Sequence, residues 1–106
     1  MNIEKFAKAV HQNAVEHGWW DEERTFGEIV ALCHSELSEA LEAYRKGEEM
    51  CWIDEGKPEG IATELIDCVI RIFDYLAHED VNIEEILVLK HEYNKTRPYK
   101  HGGKKI

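Results

Sequence analysis

TFGEIVALCHSELSEALEAYR, residues 25–45, is the stretch whose spacing decides the fold. Phe26, Val30, Cys33, Leu37, Ala40 and Tyr44 recur at three- and four-residue intervals, which draws one apolar stripe along a helix. Thr25 predicts an N-cap, Glu28 completes a capping box, and Gly47 predicts the stop. The same period extends to both sides. Upstream, Ile3, Phe6, Ala7, Val10 and Ala14 predict a helix ending at His17-Gly18, with Trp19-Trp20-Asp21 as a loop. Downstream, Glu48 to Lys57 reads as a connection, and Pro58 opens a third helix with Ile61, Leu65, Cys68, Ile72 and Leu76 on its buried side. A fourth helix starts at Asp80 or Asn82, carries Ile83, Ile86, Leu87, Lys90 and Tyr93, and runs out before Pro98. No segment shows two-residue alternation. The expectation is an all-α, four-helix bundle-like domain, with a helical core over about residues 2–95 and a basic arm over about 96–106.

A chain of 106 residues suffices for one domain, and a domain so small gains from self-association. Its net charge is −9, which argues against coating nucleic acid. The charge is divided unevenly. From Lys90 onward six basic residues face one acid, giving +5 and leaving −14 on residues 1–89. Cys33, Cys51 and Cys68 form no C-x-x-C spacing, so a disulfide framework and a zinc knuckle are not expected, and a reducing cytoplasm fits best. The opening MNIEKFAKAV, with acid and base before any apolar run, is not expected to act as a signal peptide, and no apolar run is long enough to span a membrane.

Two carboxylate pairs stand out: Glu36 with Glu39 on the second helix, and Glu64 with Asp67 on the third. At about 100° per residue, Glu36 lies about 40° from Ala40 and Glu64 about 40° from Cys68, so each borders an apolar stripe. If the two helices run antiparallel, the four acids share one edge of the seam. A hard divalent cation, Mg2+, Mn2+ or Ca2+, suits such oxygen ligands. The plainer reading is a solvated acidic face, because an acid-rich chain produces E-x-x-E by chance; Glu39 and Glu42 form another. A di-iron carboxylate bundle requires Glu-x-x-His, and no histidine here has Glu three positions before it.

The run His34-Ser35-Glu36-Leu37-Ser38-Glu39-Ala40-Leu41-Glu42-Ala43-Tyr44-Arg45, followed by Glu64-Leu65-Ile66-Asp67, resembles the MazG-like all-α nucleoside triphosphate pyrophosphohydrolases. The tail from Lys90 to Pro98, and then His101-Gly102-Gly103-Lys104, is similar to the segment with which relatives contact phosphates. Ser35 stands where many relatives carry a further acid. The resemblance implies Mg2+-dependent hydrolysis (Mn2+ as the alternative ion) of an NTP or dNTP to the monophosphate and pyrophosphate. It implies Glu36, Glu39, Glu64 and Asp67 as metal ligands, with Glu39 or Glu36 serving catalysis. It further implies a homodimer or homotetramer with sites at subunit contacts, and a role in nucleotide-pool housekeeping. Neighbouring readings are a phosphoribosyl-ATP pyrophosphatase-like enzyme, a non-catalytic nucleotide-binding relative and a helical interaction module.

For substrate contact, Lys90, Asn94 and Arg97 share one helical face and offer a point charge, a neutral donor and a bidentate fork. Lys104 joins them if the Gly102-Gly103 arm closes on ligand. Arg71, one turn after Asp67, bridges to Asp67 or reaches phosphate. Trp19 and Trp20 offer stacking faces to a base, or pack into a core or subunit contact; the sequence does not separate them. His34 reads as a core or hydrogen-bonded side chain, and Cys33 and Cys68 as small core hydrophobes.

Overall fold

In the computed structural model, which describes residues 1–106, the chain is mostly helical with one small two-stranded sheet. Helix α1 spans Ile3–Glu16, α2 Phe26–Arg45, α3 Ile61–His78 and α4 Ile83–Lys95. Strands β1 (Trp52–Asp54) and β2 (Lys57–Glu59) stand between α2 and α3. A four-residue turn, α5 (Lys100–Gly103), interrupts the arm, with φ positive at all four residues.

Local chemistry sets the helix starts. The side chains of Asn2, Thr25 and Asn82 accept hydrogen bonds from the backbone N–H of Lys5, Glu28 and Glu85, each at 3.1 Å, satisfying donors that the first turn leaves free. Helix α4 gains one more, as the Glu84 N–H donates to Glu4 Oε1 at 2.7 Å. Helix α3 begins differently. Pro58 does not open it but sits in β2 opposite Ile53, and the helix starts only after Gly60. Gly60 has φ 116°, and a Cβ there would stand 2.5 Å from the Met50 carbonyl oxygen. Glycine is required by both the backbone angle and the close approach.

The hairpin is absent from the sequence expectation, which has a plain connection over residues 48–57. Its strands are three residues long and mostly exposed on both faces, so no alternation marks them. The usable signal is Glu55-Gly56: φ is 49° and 87°, the positive pair that a two-residue hairpin turn demands.

Helices α2 and α3 pack antiparallel. Phe26 meets Tyr75 at one end, with ring centroids 5.3 Å apart, and the Ile61 N–H donates to the Glu49 carbonyl at 3.1 Å beyond the other. Helix α1 lies along α3 in the parallel sense, Phe6 against Phe73 and His11 against His78. The α2 face is turned from the expected stripe. Ile29, Glu36, Ala40 and Ala43 are buried, whereas Phe26, Leu37 and Tyr44 are exposed. On α3, Cys68 is buried while Leu65 and Ile72 are exposed. Helix α4 packs on α1 through Ile83 and is exposed from Glu84 through Lys95. No helix is long and apolar enough to cross a membrane.

Candidate functional site

Antiparallel packing brings the two acid pairs to one edge of the α2–α3 seam. Carboxylate oxygens of Glu36, Glu64 and Asp67 all lie within 4.8 Å of one another. Glu36 is buried and the other two are half-buried. Glu39 belongs to the same group electrostatically: its carboxyl is pushed up to about 7, first because its protonated form hydrogen-bonds Glu36, then because the Glu36 charge repels its own. Glu64 is raised by burial and then by the charges of Asp67 and Glu36. Asp67 is raised by burial and then by Glu36, with Arg71 and Lys57 opposing the rise. The edge thus carries more negative charge than its own cations neutralise, and a divalent cation would relieve that excess.

Arg71 does not bridge to Asp67. Its Nε donates to Glu36 Oε1 at 2.9 Å across the two helices, because Glu36 is turned into the seam. That ion pair holds the buried carboxylate beside its acidic neighbours. Ser35 is spent locally, donating to the Leu32 carbonyl at 2.7 Å. His34 is exposed and makes no hydrogen bond, so it is neither a core nor an anchored residue.

Beside the acids opens a cavity of about 440 Å3, walled by apolar side chains that include Phe6, Val10, Ile29 and Leu32. Glu36, Asp67 and Arg71 line it, as do Asn13, Trp19 and Arg24. Along α2 its lining runs from Ile29 through Leu32 to Glu36, seven residues or about 10 Å of helix.

The tryptophans have separate roles. The Trp20 Nε1–H donates to Asp74 at 3.0 Å and its ring stacks on His78 at 3.9 Å, while His11 Nδ1 lies 2.7 Å from the same carboxylate. Trp20 therefore fixes the loop after α1 to α3. Trp19 is 55 % exposed, faces the cavity and carries the Arg24 guanidinium 5.5 Å from its ring centroid.

The basic arm is not brought to this site. Lys90, Asn94, Arg97 and Lys104 line no part of the cavity, and the Lys90 ammonium instead sits 5.2 Å from the Tyr93 ring centroid. Helix α4 leaves the body after its first turn and carries these groups away. Two cations that the sequence reading passed over stand closer. Lys57 pairs with Glu59 at 3.0 Å, and the Glu59 hydrogen bond raises its pKa, as do the charges of Glu59 and Glu64. Arg24 lies in the cavity wall. Neither carried a spacing signal, because one belongs to the unforeseen hairpin and the other to a loop.

No family model, curated protein or solved structure matches the chain.

Proposed function

We propose that the chain is a divalent-cation-dependent nucleoside triphosphate pyrophosphohydrolase with MazG-like, four-helix architecture, cleaving an NTP or dNTP to the monophosphate and pyrophosphate. The observation that carries this reading is the convergence of Glu36, Glu64 and Asp67 at one edge of a cavity large enough for a nucleoside. It agrees with what the E-x-x-E and E-x-x-D motifs imply by resemblance. The donor set fits the ion, since carboxylate oxygens without thiol or imidazole favour Mg2+ or Mn2+. Glu36, Glu64 and Asp67 would hold it, with Glu39 beside them. When bound, the cation neutralises charge on the phosphate oxygens.

The protein groups supply the rest. Arg71 holds Glu36 in place and adds positive charge beside the acids. Glu39, exposed and next to the other carboxylates, is the group placed to accept a proton from attacking water. The apolar cavity walls exclude water from the nucleoside. The exposed apolar side chains on α2, α3 and α4 support a homodimer or homotetramer, in which Lys90, Asn94, Arg97 and Lys104 would reach a phosphate bound by a neighbouring subunit.

The test is pyrophosphate release from a panel of NTPs and dNTPs with Mg2+, with phosphoribosyl-ATP run alongside. Release that depends on Mg2+ and disappears in Asp67→Asn supports the assignment. Release that survives in both Asp67→Asn and Glu36→Gln would place the chemistry elsewhere. Thermal protection by nucleotides without cleavage would favour a binding protein.

A further inference from the structure

The cavity wall carries two side chains, Trp19 and Arg24, that the hydrolytic reading does not use. There the Trp19 carbonyl accepts from Arg24 Nη1 at 3.1 Å, and the guanidinium stands 5.5 Å from the Trp19 ring centroid. These two contacts fix the side chain in the wall and use one of its five donors. Its Nε is sealed from solvent, and hence from any ligand, whereas Nη2 is neither sealed nor hydrogen-bonded to protein. Nη2 therefore offers the cavity a charged donor that protein groups leave unused. Asn13, also in the wall, keeps its amide free of protein partners.

Orientation follows from the acids. With the phosphates held at Glu36, Glu64 and Asp67, the sugar lies nearer that edge and the base extends along α2 toward the start of the helix. The base edge farthest from the sugar, position 4 of a pyrimidine or position 6 of a purine, then meets Arg24. Uracil, thymine, guanine and hypoxanthine carry a carbonyl oxygen there, which accepts. Cytosine and adenine carry an amino group, which donates and would oppose a second donor. Trp19 offers its exposed face to the ring.

We propose that Arg24 is a specificity-determining residue that reads the distal exocyclic group of the base, so that the cavity selects keto-bearing over amino-bearing nucleotides. The inference rests on the nucleotide reading above and adds the substrate class.

Two matched pairs test it, because each differs only in the distal exocyclic group and the ring nitrogen beside it: ITP against ATP, and UTP against CTP. Wild-type kcat/KM is expected to favour the keto member of both pairs by about 10- to 100-fold, the size of one hydrogen bond to a charged donor. Arg24→Ala should bring both ratios close to one, and Arg24→Lys should keep part of the preference. Circular dichroism confirms that each variant is folded. A second readout does not depend on turnover: Trp fluorescence titrated with IMP, AMP, UMP and CMP in the presence of Mg2+. If no triphosphate is cleaved yet IMP and UMP bind more tightly and Arg24→Ala removes the difference, the hydrolase reading fails and this inference stands. Cleavage without a keto preference, or with one that survives Arg24→Ala, overturns the inference and leaves the hydrolase reading intact. Equal binding of the four monophosphates by the wild type also overturns it.

Discussion

Glu36 is the one charged side chain that the fold buries, and Arg71 is its hydrogen-bond partner. Burial makes the pair matter, because removing Arg71 leaves a desolvated charge beside three other acids. Arg71→Ala is therefore expected to destabilise the fold by about 3 kcal/mol, measured by urea unfolding. Glu36→Gln, which keeps the shape and removes a charge, should unfold no more easily than the parent but lose Mg2+-induced thermal stabilisation. A Mg2+ effect of undiminished size in that variant would count against Glu36 as a ligand. The raised carboxyls also set a pH dependence. Glu39 moves from 4.5 to about 7, so protonation favours the folded state. That contribution is complete below pH 4.5 and is lost as pH rises through about 7. Without divalent cations Tm should fall across this window, and Mg2+ should flatten the fall. A metal-free Tm that rises with pH over the same interval contradicts the mutual repulsion described here.

Element boundaries in this chain have identifiable chemical causes. Thr25 caps α2, and Thr25→Ala is expected to cost about 1 kcal/mol by chemical denaturation. Gly60 has a larger effect. It combines φ 116° with the close approach of the Glu49 and Met50 carbonyls, and its own carbonyl accepts from the Glu64 N–H at 3.1 Å. Gly60→Ala should cost about 3 kcal/mol and, by shifting the first turn of α3, also weaken stabilisation by Mg2+. A variant that loses stability but keeps the full Mg2+ shift would separate that turn from the acidic edge. The hairpin before it was hidden from the periodicity because three-residue exposed strands leave no pattern; only the Glu55-Gly56 pair announces the turn.

The single chain leaves much apolar surface uncovered. Its radius of gyration is 16.3 Å, against about 13 Å for a compact chain of this length, because α4 extends from the body. Leu37, Leu41 and Tyr44 on α2, Leu65 and Val69 on α3, and Ile86 to Leu89 on α4 are all exposed. Such surface is what an obligate interface covers. Light scattering after gel filtration should give at least twice the 12.4 kDa chain mass, with Tm rising with protein concentration. Leu89→Glu should shift the protein toward monomer and lower Tm. A wild-type monomer at all concentrations would remove the assembly from the proposal.

By itself the sequence determined four helices, the Thr25 cap of α2, the −14 and +5 division of charge, and the two acid pairs. These are local properties: spacing of three and four residues, a Thr or Asn at a helix start, a carboxylate one turn from another. Tertiary structure decided the rest. Periodicity gives a helix a stripe but not the angle at which a neighbour meets it, so it took packing to bury Glu36 and expose Leu37. The same packing joined Arg71 to Glu36 and not to Asp67, gave Trp20 to Asp74 and left Trp19 and Arg24 facing the cavity. It also carried Lys90, Asn94 and Arg97 away from the acids that the sequence placed them to serve. Chain order sets which residues are local neighbours, but the direction in which α4 leaves α1 sets where that basic face points.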